Sequence, residues 1–324
     1  MTPDEKPTFL DKLQNVDRRI LYLILIVATT LPLFFKVKIP VEPDPAAKAL
    51  YFRLMTVPPE KTVFIQSDWT VSTRGENAGH LESLLRICMT RKLKFVIFSV
   101  GDPQAPGVYR DVIQRINAER KADGLSEYKT WDDYVDLAYF PNAEGTLNAI
   151  ANDVRKTFGD RRVKDPNSGS DRPVFESPVM ANVRSVGDAG LYMIVTASST
   201  VDRAVERLNE KTSLAVMCTG VIGPSALPWF QSGQIKGVAI GLKGVYDMEY
   251  MMMFGLNHKD ANGRVEVPWA GKEDKTADPI SEGKTFARGS LYYLSFHFAI
   301  FLLILAVIVG NVGMALSKKA KAGA

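Results

Sequence analysis

Residues 191–219 read LYMIVTASSTVDRAVERLNEKTSLAVMCT, and this stretch decides the fold of the central region. Its two continuous apolar runs, 191–197 and 214–219, have the length of buried β-strands. The charged stretch between them, 200–212, has the length and spacing of an amphipathic helix. A strand, a helix and a second strand in this order predict a βαβ unit, in which the two strands run parallel and the crossover is right-handed.

The same alternation extends over the rest of the central region. Further apolar runs predict strands at 62–67, 94–100, 134–139 and 237–242. Segments of helix length predict helices at 76–92, 105–123, 143–158 and 224–232. Because most of the strands are continuous apolar runs, we expect helices on both faces of the sheet. We therefore predict an α/β domain with a doubly wound, mostly parallel sheet of the Rossmann-like or flavodoxin-like kind.

Two apolar segments flank this domain. Residues 20–35 form a run of sixteen without a charge, and residues 291–316 form a run of twenty-six without Lys, Arg, Asp or Glu. As helices they would rise about 24 Å and about 39 Å, against a hydrocarbon core of about 30 Å. We predict one N-terminal and one C-terminal transmembrane helix, at 20–41 and 289–317. A cleaved signal peptide is the alternative for the first segment.

Composition sets the other boundaries of the chain. The predicted segments are an amphipathic tail over 1–19, a linker helix over 42–58, the α/β domain over 59–256, a polar linker over 257–288 and a basic tail over 318–324. Within the domain, residues 159–186 are rich in Pro, Gly, Ser and charge, which predicts a surface excursion, either a lid or a loop without a role.

Lysine and arginine residues predict the orientation in the membrane. The two tails carry seven of them, and the flanks on the domain side carry four: Lys36, Lys38, Lys284 and Arg288. Basic residues accumulate on the cytoplasmic side of membrane helices. Both termini are therefore predicted in the cytoplasm, and the α/β domain is predicted to be extracytoplasmic.

Composition and missing motifs exclude several classes of protein. The net charge of +4 comes from the segments that flank the membrane helices, so nucleic-acid binding is not expected. Two cysteines and three dispersed histidines exclude a disulfide scaffold and make a zinc site improbable. The chain has no phosphate-binding loop, dinucleotide fingerprint or nucleophile elbow. We predict no catalytic residue, no metal and no cofactor.

Polar residues follow several predicted strands, where ligands bind open α/β sheets. The candidate ligand-binding residues are Asp68, Trp69, Asp102, Ser198, Ser199, Thr219 and Lys243. Asp68 and Asp102 follow consecutive strands, so we expect them to lie close together. Asp and Ser are also the usual turn and cap residues at such positions, and a purely structural role stays open.

Two further segments predict contacts with partners. Small residues and one amide form a candidate packing face on the second membrane helix: Ala306, Gly310, Asn311, Gly313 and Ser317. A Met-rich aromatic stretch after the last strand forms a candidate partner surface: Tyr246, Met248, Tyr250, Met251, Met252 and Phe254. The alternative for this second stretch is a buried helix packed on the sheet.

These features predict a non-enzymatic, two-span membrane protein whose α/β domain is an assembly or scaffold subunit of a membrane complex. Its expected partners are membrane lipid and either copies of itself or other membrane proteins. One alternative is an extracytoplasmic domain that binds or senses a small ligand at a pocket near Asp68, Asp102 and Ser199. A second alternative is a membrane-tethered hydrolase or transferase that uses the strand-end aspartates.

Overall fold

A computed structural model describes residues 18–34, 42–254, 256 and 288–322. It divides the chain into two compact units, one of residues 1–40 with 290–324 and the other of residues 41–289. Most of the predicted amphipathic tail, residues 257–287 of the predicted polar linker over 257–288 and the last residues of the basic tail lie outside the described residues.

The strands are β1 (Val63–Asp68), β2 (Phe95–Ser99), β3 (Tyr134–Tyr139), β4 (Arg162–Lys164), β5 (Asp171–Pro173), β6 (Leu191–Thr196), β7 (Leu214–Cys218) and β8 (Ile235–Ile240). The helices are α1 (Arg18–Thr30), α2 (Pro45–Met55), α3 (Arg74–Thr90), α4 (Ala105–Ala122), α5 (Ala143–Asn152), α6 (Val154–Phe158), α7 (Thr200–Leu208), α8 (Gly223–Gln231), α9 (Gly241–Phe254) and α10 (Arg288–Ala322).

Six strands form one sheet in the order β3-β2-β1-β6-β7-β8, and every neighbouring pair is parallel. The order reverses between β1 and β6, as in a Rossmann-like sheet. This confirms the predicted α/β class and the parallel sheet. The strands β4 and β5 form a separate antiparallel pair.

Helices cover both faces of the six-stranded sheet because its side chains alternate between two cores. Val63 and Ile65 of β1 enter the core under α2, α3, α4 and α9, whereas Phe64 enters the core under α5 to α8. All three side chains are fully buried. The continuous apolar runs in the sequence are thus explained by burial on both faces.

Two predicted elements need correction. The helix over 143–158 is divided at Asp153, whose backbone is extended and whose carboxylate accepts the N–H of Lys156 to cap α6. The segment 159–186 is not simply a surface excursion. Its apolar residues Val174, Val179 and Met180 are at most 2% exposed and belong to the core under α5 to α8.

The unit of residues 1–40 and 290–324 contains α1, a 3-10 turn over Leu31–Phe34, and nearly all of α10. Within the described residues, one helical segment is long and apolar enough to cross a membrane: Tyr292–Leu316 of α10, with 25 residues. The apolar segment Arg19–Phe34 is shorter. The coarse prediction of a membrane-crossing helix therefore stands for the C-terminal segment.

Candidate functional site

Asp68 ends β1, at the edge of the sheet where ligands were predicted to bind. Its carboxylate is 3% exposed and accepts four hydrogen bonds. Oδ1 accepts the Ser99 hydroxyl at 2.8 Å and the backbone N–H groups of Val100 and Gly101 at 2.8 and 2.9 Å. Oδ2 accepts the Gln66 amide at 2.5 Å. The side chain therefore holds the loop after β2 against the end of β1, with its acceptor capacity used internally.

Asp68 and Asp102 both contact the Ser99 hydroxyl, but their carboxylates bond to different backbone groups. The Ser99 hydroxyl that donates to Asp68 also lies 3.1 Å from the Asp102 carbonyl oxygen. The Asp102 carboxylate instead accepts the N–H of Gln104 at 2.7 Å, within its own turn. Trp69 is 2% exposed and donates its indole N–H to Ser67. These three predicted residues have structural contacts.

Hydroxyl groups cluster after β6. The Thr196, Ser198 and Thr200 hydroxyl oxygens lie 3.1 Å from one another in each pair. Ser199 is exposed and forms no side-chain cap on α7. Thr219 is 5% exposed, and its backbone N–H donates to the Thr196 carbonyl. Of the predicted residues in this area, Ser199 is exposed, Ser198 is half-buried and Thr219 is buried.

Lys243 lies on the first turn of α9, after β8. Its ammonium donates to Asp247 and to the carbonyl oxygen of Glu42, and it lies 3.7 Å from the Asp44 carboxylate. Asp247 is fully buried, and this burial raises the pKa of its carboxyl group. The lysine therefore neutralises a buried acid that holds the start of α2.

Sequence reasoning missed Glu76 and His80 on α3. The Glu76 carboxylate accepts the N–H of Gly220 at 2.7 Å and so joins α3 to the turn after β7. His80 is fully buried, and burial lowers its pKa to about 4 against the opposing effect of the Cys218 and Gly241 backbone. The ring is therefore neutral at neutral pH. Neither residue carried a spacing or motif that could have marked it.

The predicted partner surface on α9 is corrected at four of its six positions. Tyr246, Met248, Met251 and Met252 are at most 3% exposed, and the three methionines pack in the core. Tyr250 is half-buried and lies with its ring centroid 6.2 Å from that of Tyr246. The side chain of Phe254 is outside the described residues. The alternative of a buried helix describes this segment, since α9 packs against α2, α3 and β8.

Three of the five residues of the predicted packing face are exposed on α10. Ala306, Gly310 and Asn311 are exposed, and a Cβ at Gly310 would meet no atom within 4 Å. Gly313 is buried, and the side chain of Ser317 is outside the described residues. The helix α10 meets α1 elsewhere, where the Ser295 hydroxyl donates to the Thr29 carbonyl.

Among the described residues, no group of three or more His, Cys, Asp or Glu side chains is arranged to hold a metal ion. Neither a protein-family model nor a curated protein matches this sequence.

Proposed function

We propose that this chain is a non-enzymatic, two-span membrane protein whose α/β domain is a subunit of a membrane assembly. The observation that supports this most strongly is the apolar surface of the unit formed by α1 and α10. Leu23, Phe301 and Leu303 expose 61%, 64% and 65% of their surface, and their neighbours on both helices are similar. Lipid or a partner helix would cover such a surface.

The contact between the two helices supports the assignment of α1 as a second span. Ser295 bonds to Thr29 across the pair, and a cavity of about 540 Å³ between the helices is lined by apolar side chains alone. The sequence continues beyond Phe34 with Lys36 and Lys38. A lysine side chain is long enough to place its charge at a membrane interface while its stem stays in hydrocarbon. In this proposal the span therefore extends over 20–41.

The hydrogen bonds and ion pairs of two charged strand-end residues support a non-enzymatic role. Asp68 uses its acceptors on the loop after β2, and Lys243 is paired with Asp247. A general acid, base or nucleophile needs a reactive group that substrate can reach. Among the described candidates, these two charged groups are occupied by structural contacts. The domain is accordingly proposed to act by binding other proteins.

Asn311 supports assembly within the membrane. Its amide is exposed on α10, five residues before the end of the apolar segment, and has no hydrogen-bond partner among the described residues. An amide in hydrocarbon gains about 0.6–2 kcal/mol from a partner on another helix, which is about a 3- to 30-fold change in association. We propose that Asn311 and the adjoining Gly310 meet another membrane helix.

The orientation proposed here follows the excess of basic residues on the two tails. Both termini lie in the cytoplasm, and the α/β domain lies on the opposite side. A protease added to sealed, right-side-out membrane vesicles should then degrade the domain and spare an epitope at the C-terminus. Degradation of the epitope with protection of the domain would reverse the orientation.

Native mass spectrometry of the full chain, extracted gently from its membrane, tests the assembly. We expect a homo-oligomer or a stoichiometric complex with another membrane protein. Asn311→Leu should shift the population toward the isolated chain by about 3- to 30-fold. Leu305→Ile, an apolar exchange elsewhere on α10, is the matched control and should leave the population unchanged. An isolated chain in all three samples would overturn the proposed assembly.

A further inference from the structure

Two hydrogen-bonding side chains, His297 and Asn311, lie on one stripe of the apolar segment of α10. Both are exposed, and they are fourteen residues apart, which is two heptads. At about 100° per residue they lie about 40° apart around the helix axis, and the left-handed supercoil of packed helices removes such a difference. A partner helix that follows this stripe therefore meets both side chains.

The face of α10 that meets α1 is on the opposite side of the helix. Ser295 bonds to the Thr29 carbonyl, and Leu294 and Phe298 line the cavity between α10 and α1. Ser295 precedes His297 by two residues, which is about 200° around the helix. The stripe with His297 and Asn311 is therefore directed away from α1.

Apolar side chains complete this stripe with the alternating steps of three and four residues that form a coiled-coil seam. We use the name α10 seam for these residues: His297, Ile300, Ile304, Val307, Asn311 and Met314. Its four apolar members expose between 37% and 54% of their surface. The seam is therefore a continuous surface that α1 leaves uncovered.

The two polar members of the α10 seam have unused hydrogen-bonding groups. The His297 Nδ1 lies 2.7 Å from the Tyr293 carbonyl oxygen, which can only accept, so Nδ1 carries the proton. In the neutral ring Nε2 is then an acceptor, and it has no partner among the described residues. The Asn311 amide has two donor hydrogens and one acceptor oxygen, also without a partner there. In hydrocarbon, such groups are satisfied by another helix or by water.

We infer that α10 packs in parallel and in register on α10 of a second copy of this chain, through the α10 seam. This inference rests on the proposed membrane assembly and names its partner. Copies inserted into one membrane share one orientation, so their helices run parallel. In register, each Asn311 faces its counterpart. The amide is complementary in charge to itself, because the partly positive hydrogens of one face the partly negative oxygen of the other.

The same register brings the two His297 rings together, with an acceptor on each. One water molecule donates two hydrogen bonds and so can bridge two Nε2 atoms. Water has access to this level, since His297 is five residues inside the end of the apolar segment at Tyr292, about 7.5 Å along the helix.

The charged residues of α10 lie outside the α10 seam region of the apolar segment. Arg288 precedes the segment, and Lys318, Lys319 and Lys321 follow it. In a parallel pair these like charges are on the same side of the membrane, where water surrounds them and salt screens their repulsion beyond about 8 Å. Between them, residues 291–316 contain no Lys, Arg, Asp or Glu that would oppose the contact.

Disulfide cross-linking of the full chain tests this inference in membranes isolated from the cells that express it, where all copies share one orientation. Single cysteines replace Ile304 or Val307 on the α10 seam, or Leu305 as the matched control, and copper phenanthroline oxidises them. Leu305 is an exposed apolar residue at the same depth, about 100° around the helix from Ile304. The native Cys88 and Cys218 are fully buried, and the parent chain reports any background from them.

We expect the cysteines at Ile304 and Val307 to form cross-linked dimers of the chain several-fold more than the cysteine at Leu305. At low expression, Asn311→Leu should lower the cross-linking of Ile304→Cys by about 3- to 30-fold. Asn311→Gln keeps an amide and should retain most of the cross-linking. Equal loss with Asn311→Leu and Asn311→Gln, or no loss with either, would overturn the amide pairing.

The failure of self-pairing is distinguishable from the failure of the assembly. If native mass spectrometry finds a complex with another protein while none of the three cysteines cross-links copies of this chain, self-pairing is overturned and the assembly stands. An isolated chain without cross-links overturns both. Cross-linking that is equal at Ile304 and Leu305 and rises with expression reports random collisions, and this result also overturns pairing through the α10 seam.

Discussion

Replacing Asp68 by asparagine should destabilise the α/β domain, although both residues have nearly the same shape. One oxygen of the amide can still face Ser99, Val100 and Gly101, but it is no longer charged. The amide nitrogen then faces the Gln66 amide nitrogen, which donates to Oδ2 in the native protein. Two donors in contact cannot bond, so a buried polar group is left without a partner.

The contacts set the expected size of this effect. A hydrogen bond to a charged group contributes about 1.5–3 kcal/mol, and an unsatisfied buried group costs about 1–3 kcal/mol. Because these terms are not additive, we expect Asp68→Asn to lower the free energy of unfolding by about 2–4 kcal/mol. In a domain of this size that corresponds to a fall in Tm of about 4–16 °C.

The assay is thermal unfolding of the full chain in detergent at a fixed scan rate, followed by tryptophan fluorescence. Asp102→Asn is the matched control, because an asparagine oxygen can still accept the Gln104 N–H in that turn. Its effect should stay within about 0.5 kcal/mol. An Asp68→Asn protein with the Tm of the wild type would refute the stabilising role of Asp68. Asp68 would then again be a candidate ligand-binding residue.

Two further predictions concern packing and pH. A Cβ at Gly237 would lie 2.4 Å from the backbone of α2, so Gly237→Ala should cost at least about 1–3 kcal/mol, whereas Gly107→Ala in open space on α4 should stabilise the helix by up to about 1 kcal/mol. Both are measured as shifts in Tm. Burial alone would raise the pKa of Glu82, but its bonds to Arg115 and Arg86 outweigh burial and lower it. The stability that this carboxylate contributes is present above its ordinary pKa of about 4.3 and is lost as the pH falls through the lowered value. The difference in Tm between wild type and Glu82→Gln should therefore be large at pH 7 and shrink below about pH 4, and an equal difference at both pH values would contradict the assignment.

The order of elements could be predicted because it depends on local pattern. Each predicted strand overlaps an observed one. Most of these strands are buried on both faces and are therefore apolar throughout. The division of 143–158 into α5 and α6 was missed, because one aspartate with extended backbone ends a helix without changing its apolar periodicity. The apolar residues at 174–180 were missed because polar neighbours surround them in the sequence.

The positions of the candidate site residues in the fold were predicted from the sequence, but their hydrogen-bond partners were not. Asp68 ends β1 and Asp102 follows β2, the next strand along the chain, yet hydrogen bonds from the loop after β2 occupy Asp68. The partner surface shows the opposite error. Methionines and aromatic residues marked α9, which is largely buried, whereas Leu227 on α8 and Val221 just before it are exposed in a stretch without charge.

The sequence by itself determined the class of fold and the apolar C-terminal helix, because both depend on the length and spacing of apolar runs along the chain. Only the tertiary structure decided which polar groups are free and which apolar side chains remain exposed. Those properties depend on neighbours that are distant in sequence: Asp68 is occupied by the loop after β2, and α9 is covered by α2 and α3, whereas α8 has open surface beside β8. Hydrogen-bond satisfaction and burial are properties of the packed chain, so no local pattern encodes them.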